Sequence, residues 1–316
     1  MTAVAVLDDY QGRAHALADW AALGYDVTLR FFFRAMDEDT LVGILSEFDI
    51  VVLMRERTAL PRQVIEQLPR LQLVVTTGMV NAAVDRECLR ERGITYAGTG
   101  GSGSAGPVEI AWSLIFATTK RTVIEDAAIR AGHWQLGFPA LLSGKTLGLL
   151  GLGRLGSAMV PAARAFGMEV VAWSENLTAA RTDEVGVELV TKQALLERSD
   201  VLSIHLLLSR RTRGLLGADD FFSMKRSAVL INTSRGPIVE EQALVDALRA
   251  GRIAAAGLDV FDVEPLPTGH PFLALENAVL APHLGYVSEE GMEAMYSDAV
   301  EDIAAFLAGE PIRVIE

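Results

Sequence analysis

Short apolar runs alternate with longer stretches of helical period from the first residues onward: VAVL near Val4, VTLRF near Thr28, IVVL near Val51, LVVTT near Val74 and ITYA near Thr95. Such runs, bounded by turn residues, read as strands, and their alternation with helical segments predicts βα units on a parallel sheet. Helices are expected over residues 37–46, where acids fill the first turn, and over residues 61–68, where proline opens it.

The pattern breaks at AGTGGSGSAGP, with glycine at 98, 100, 101, 103 and 106 and proline at 107. A stretch this rich in glycine reads as a hinge. A long apolar helix is expected over residues 108–120, followed by a second α/β series with strands near Leu147, Val170, Val201, Val229, Ala256 and Val279. The last helix, Glu289–Leu307, sets apolar Met292, Met295, Ile303 and Phe306 against an acidic face. The expected fold class is therefore α/β, with two open parallel-sheet domains and a cleft between them as a place for a ligand. One domain takes residues 1–99 with 288–316, and the other residues 100–287.

The sharpest local signal is GKTLGLLGLGRLGSAM. Gly151, Gly153 and Gly156 form G-x-G-x-x-G directly after the apolar run ending at Leu150 and before a helical pattern over residues 157–166. That order of strand, glycines and helix is what a dinucleotide requires. Gly151 allows the tight turn, Gly153 admits the pyrophosphate, and Gly156 lets the helix pack close with its first amides, around Arg154 and Leu155, facing the phosphates.

The same fingerprint calls for an acid about 20 residues on, to take the adenosine ribose. Here VVAWSENLT places Ser174 there, with Glu175 next. A serine offers one hydroxyl and no repulsion of a 2′-phosphate, which favours NADP somewhat, while Glu175 repels a phosphate and can take ribose hydroxyls itself. Arg181, Arg210 and Arg211 are the cations within reach. The balance favours NAD, with NADP also accepted.

Further on stand INTSRGPIV, GLDVFDVEP and APHLGY. Arg235, Asp259, Glu264 and His283 all end or follow apolar runs, where an open α/β sheet presents the C-terminal ends of its strands to ligands. Singly each has an ordinary structural explanation. Together an arginine, carboxylates and a histidine beside a dinucleotide suggest an anion clamp and a proton donor for a hydride acceptor.

Composition narrows the choices. The 316 residues carry 28 Lys and Arg against 41 Asp and Glu, a formal net charge of −13. That charge disfavours nucleic acid as a partner. Every apolar run is interrupted well before the roughly 18 residues that a membrane span needs, so no membrane association is expected. Cys88 is the only cysteine, which excludes an internal disulfide and a Cys-rich zinc site and fits the cytoplasm, as does MTAVAVLDDY, which lacks the pattern of a secretory signal. His15, His205 and His270 have no metal-ligand spacing and read as structural, and Cys88 reads as a packing or helix-surface residue.

Over nearly its whole length the chain resembles the D-isomer-specific 2-hydroxyacid dehydrogenases, which include glyoxylate/hydroxypyruvate reductases and D-lactate and phosphoglycerate dehydrogenases. The resemblance rests on VVTTGMVNAAVD, IRAGHWQ, LSGKTLGLLGLGRLGSAMV, INTSRGPIV, GLDVFDVEPLP and APHLGY. It implies a flavodoxin-like substrate domain and a Rossmann cofactor domain that interconvert a small 2-oxo acid and its D-2-hydroxy acid with NAD(P). It further implies that Arg235 binds the substrate carboxylate, that His283 is the acid/base with Glu264 bonded to it, and that Asp259 contacts the nicotinamide side. Thr233 and Ser174 join the glycine turn in the cofactor set. Backbone amides around Gly78, Met79 and Val80 would hold the substrate, and the segment of His133 and Trp134 looks like a dimer arm, so a homodimer is expected. Ser174, Leu207, Val80 and Ala83 depart from the family pattern. The alternatives are a dehydrogenase of another small anion, as formate and phosphite dehydrogenases are, and a cofactor-sensing binding protein resembling the co-repressors related to this family.

Overall fold

The computed structural model describes residues 1–100, 103 and 105–316. The expected hinge falls partly outside the described residues, at Gly101, Ser102 and Ser104. The chain divides into two compact units, Met1–Gly103 with Tyr286–Glu316, and Ser104–Gly285.

In the first unit the expected apolar runs form β1 (Thr2–Val6), β2 (Val27–Phe31), β3 (Ile50–Leu53), β4 (Leu73–Thr76) and β5 (Thr95–Gly98). They make a wholly parallel sheet of order β2-β1-β3-β4-β5. Every residue of β3 and β4 is buried, which is why IVVL and LVVT read as continuous apolar runs and not as alternation. One face is covered by Leu41, Leu45, Val64, Ile65, Cys88 and Leu89, and the other by Met292, Met295, Tyr296 and Ile303 of the last helix. Cys88 is 1% exposed and its thiol is pushed up by burial. The expected helix over residues 37–46 is Glu38–Leu45, capped by Asp37, whose Oδ1 accepts from Thr40 N at 2.9 Å. The one expected over residues 61–68 is shorter, Arg62–Ile65, beginning after Pro61.

The second unit contains β6 (Thr146–Leu150), β7 (Glu169–Trp173), β8 (Glu188–Leu189), β9 (Val201–Ile204), β10 (Val229–Asn232), β11 (Ala255–Leu258) and β12 (Ala278–Leu280). The parallel order is β12-β11-β10-β9-β6-β7-β8. β8 has no counterpart in the sequence reading, because a two-residue edge strand with both residues exposed leaves no apolar run. Helix Ala105–Thr119 packs Ala111, Leu114 and Ile115 on this sheet with Leu147, Leu149 and Ile231.

Each sheet has a point where the strand order reverses, between β1 and β3 in the first unit and between β6 and β9 in the second. Loops leaving the carboxyl ends of strands diverge there and open a crevice, the usual position for a ligand in open α/β sheets.

Candidate active site

In the second unit β6 runs into Gly151 at φ +106°, where an added Cβ would stand 2.6 Å from the His205 carbonyl oxygen. Gly156 packs on the same turn so closely that a Cβ would run into the Gly151 carbonyl. Gly153 differs: nothing lies within 4 Å of its Cβ position, and helix Arg154–Ala165 starts at the next residue. The first amides of that helix, including those of Arg154 and Leu155, therefore adjoin open space, as a pyrophosphate requires. Arg181 braces the turn, with Nε donating to Leu152 O at 3.2 Å and Nη2 to Ser157 Oγ at 2.7 Å. His205 Nε2 lies 2.9 Å from Ser203 Oγ, and desolvation pushes its imidazole down to about 4. Ser174 follows β7 directly, and Thr233 follows β10.

Arg235, Asp259 and His283 leave the adjacent strands β10, β11 and β12 at their carboxyl ends. Asn232 shapes the first of these loops: its Nδ2 donates to Arg235 O at 3.0 Å and its Oδ1 accepts from Ser234 N at 3.1 Å. Ser234 Oγ donates to Ile204 O at 2.7 Å, tying the loop to β9. Glu264 is held by Phe261 N, which donates to Oε1 at 2.9 Å, and its Oε2 lies 2.6 Å from His283 Nδ1. That short contact, at side chains 29% and 19% exposed, fixes the ring by a charge-assisted hydrogen bond.

Asp259 stands at the carboxyl end of β11. It is fully buried, and its oxygens accept from Leu284 N at 2.7 Å and Gly285 N at 2.9 Å. These bonds place it beneath the loop that carries His283. Desolvation raises its carboxyl to about 6, against the pull of those two amides and of His283.

In the first unit Gly78 follows β4 at φ +89°, and a Cβ there would meet Arg55 Nη1 at 2.5 Å. Its N–H donates to Thr99 Oγ1 at 2.9 Å, so it is committed within the protein and is withdrawn from the set of substrate-binding amides. Met79 and Val80 are 46% and 74% exposed and carry the amides that remain. Asn81 Nδ2 pins the loop to Arg55 O at 2.6 Å and Thr76 Oγ1 at 3.0 Å.

A family model described as "D-isomer specific 2-hydroxyacid dehydrogenase, NAD binding domain" matches residues 112–285. The chain belongs to the D-isomer specific 2-hydroxyacid dehydrogenase family. Glyoxylate reductase of Aeropyrum pernix is 38% identical over 90% of this chain and 88% of that protein. Glyoxylate reductase of Thermococcus litoralis is 34% identical over the same shares of both chains. A crystal structure of phosphoglycerate oxidoreductase from Vibrio cholerae superposes with a TM-score of 0.92 at 33% identity, covering 98% of this chain and 100% of that one.

This dehydrogenase is accordingly an oxidoreductase that interconverts 2-oxo and D-2-hydroxy acids with NAD, which its Rossmann unit binds. No helix of the described residues is long and apolar enough to cross a membrane, and no group of potential metal ligands occurs among them. His270 pairs with Glu241 at 2.9 Å and His15 stacks edge-on to Phe31. Met54 is buried, while Arg55, at φ +52°, stands beside Gly78.

Sequence reasoning missed Asn232, Ser234 and Thr99, which hold the loops of the dehydrogenase in shape. Their only signal is position: Asn232 and Thr99 each directly end or follow a strand, where a side-chain amide or hydroxyl is well placed to bond the departing backbone.

Proposed function

We propose that the enzyme reduces a small 2-oxo acid of the glyoxylate type, with Arg235 as the carboxylate clamp and His283 as the acid/base. The observation that carries this reading is the 2.6 Å contact between Glu264 Oε2 and His283 Nδ1. A carboxylate on Nδ1 fixes the tautomer and the orientation of the ring, which makes Nε2 the nitrogen that delivers a proton to the developing alkoxide. The guanidinium of Arg235 offers a planar fork for a carboxylate, and its loop is fixed by Asn232 and Ser234. Support for glyoxylate as the substrate type comes from the names of the archaeal relatives.

NAD fits the second unit because Gly153 leaves open space beside a helix N-terminus; when bound, it supplies the hydride. Gly151, Gly153, Arg154, Leu155 and Gly156 would take the pyrophosphate, with Ser174 at the ribose and Thr233 as a further cofactor contact. The amides of Met79 and Val80 are the first unit's share in holding the acid. The assembly is a cytoplasmic homodimer. Supporting the dimer, Val123, Ile129, Trp134, Leu136, Phe138 and Leu141 are all more than half exposed within one stretch of chain, and exposed apolar surface is what an interface between chains covers. The cytoplasm is supported by the one reduced thiol.

The test is a panel of glyoxylate, hydroxypyruvate, pyruvate and phenylpyruvate assayed with NADH. Highest kcat/KM for glyoxylate or hydroxypyruvate is expected. A preference for phenylpyruvate would overturn the substrate type, and no turnover of any 2-oxo acid would overturn the reading itself.

A further inference from the structure

Ser174 stands where an open α/β dinucleotide site reads the adenosine ribose, and it brings a hydroxyl in place of the usual carboxylate. Selection between a ribose 2′-hydroxyl and a 2′-phosphate must then fall to its neighbours. Arginines at this end of the sheet include Arg154 at the glycine turn itself and, after β7 and β9, Arg181, Arg210, Arg211 and Arg213.

Arg181 is committed elsewhere, to Leu152 O, to Ser157 Oγ and, through Nη1, to Glu184 Oε2 at 2.7 Å. It belongs to the glycine turn. Arg211 differs. Its loop follows β9, yet its Nη1 lies 3.7 Å from Oε2 of Glu175, which follows β7. Because β6 lies between β9 and β7, this contact spans the carboxyl end of β6, where the glycine turn begins.

The loop that delivers Arg211 is built and closed on itself. Ser209 N donates to Thr212 Oγ1 at 2.7 Å, Thr212 Oγ1 donates to Leu207 O at 2.7 Å, and Arg213 N donates to Ser209 O at 3.0 Å. The Glu175 and Arg211 side chains are 64% and 67% exposed, so their ion pair is weakly held and easily exchanged for a ligand.

We infer that Glu175 and Arg211 form a two-way selector at the adenosine ribose, Glu175 accepting from the hydroxyls of NAD and Arg211 pairing with the 2′-phosphate of NADP. Each partner holds the other in check, so both cofactors are used. Glu175 opposes a 2′-phosphate by like charge, and Arg211 favours it by a charge-assisted hydrogen bond. The inference rests on the reading of Ser174 as the ribose end of the site.

The test titrates the purified full-length enzyme by calorimetry with ADP and with 2′,5′-ADP, alongside kcat/KM for NADH and NADPH. Arg211→Ala is expected to weaken 2′,5′-ADP at least about tenfold while ADP changes less than about twofold, the signature of one lost charged contact. Glu175→Gln is expected to tighten 2′,5′-ADP and to raise the NADPH:NADH ratio by about three- to tenfold. Arg210→Ala, which removes the same charge from the same turn, should leave both ligands within about twofold of wild type. Equal losses in Arg210→Ala and Arg211→Ala would overturn the inference in favour of a diffuse field. Unchanged 2′,5′-ADP binding in Arg211→Ala, with ADP still bound, would overturn the selector alone. Failure of wild type to bind ADP at all would overturn the placement of the ribose site and the selector with it.

Discussion

Asp259 grips the backbone one residue beyond His283, with Oδ1 accepting from Leu284 N at 2.7 Å. His283 itself has φ +55°, a left-handed conformation that costs a histidine on the order of 1 kcal/mol and persists only where its surroundings impose it. Asp259 holds the two residues that follow His283, Leu284 and Gly285. In Asp259→Asn one acceptor becomes an amide donor facing a backbone N–H. The variant is expected to lose about 1–3 kcal/mol of stability. Its kcat should fall about tenfold or more through misplacement of His283, with NAD affinity, measured by fluorescence titration, near wild type.

Asp302 lies in the first unit at 1% exposure, paired with Arg313 Nε at 2.8 Å, and desolvation raises its carboxyl to about 6. A carboxyl raised in the folded state keeps its proton while the unfolded chain, near pH 4, has already lost it. Stability therefore falls as pH rises from about 4 to about 6, by roughly 1.4 kcal/mol per unit of pKa difference at most. Other carboxylates shift the opposite way, Asp200 among them, lowered by Thr146 N–H and by Lys225 and Lys145 against its own desolvation. The diagnostic is consequently a difference: the gap in Tm between wild type and Asp302→Asn should move in favour of the variant across that window. A gap independent of pH would show that Asp302 ionises normally.

His283→Asn keeps a polar side chain of similar size and removes the transferable proton. A loss in kcat of at least about 10²-fold is expected, with NADH binding unchanged because the glycine turn is untouched. Near-normal turnover would place the proton donor elsewhere.

For Arg235→Lys the expectation is a large fall in kcat/KM for any 2-oxo acid, on the order of 10²-fold, since an ammonium cannot reproduce a bidentate fork. Were efficiency preserved, Arg55 beside Gly78 would become the leading clamp.

Gly156→Ala sets a methyl against the Gly151 carbonyl, so the helix must back away from the turn. Loss of NADH quenching by at least about tenfold is expected, since amides moved off the phosphates no longer bond them. Gly153→Ala, with nothing within 4 Å of the added carbon in the protein itself, should fold as wild type and lose affinity only through the ligand.

The sheets were legible because both are parallel and buried on two faces, so IVVL, LVVT and VLIN stand out as unbroken apolar runs. The glycine turn was legible for a related reason: each of its glycines answers a different steric demand. β8 was not legible, because exposed Glu188 and Leu189 carry no pattern. Nor was the place of Asp259, since a sequence shows a carboxylate at a strand end but not whether backbone amides or a ligand meet it. The same holds for Gly78, which the family resemblance put among the substrate amides while its N–H is taken by Thr99, twenty-one residues away.

The only thiol of the chain sits in the core of the first unit, at Cys88, and the glycine turn lies wholly in the second. Modification of Cys88 by a thiol reagent under native conditions can therefore proceed only as fast as that one unit opens, which turns an unlabelled wild-type enzyme into a clock for half of its own structure. Adding NADH, whose glycine turn is in the other half, asks through the rate of that clock whether the two units breathe together or separately.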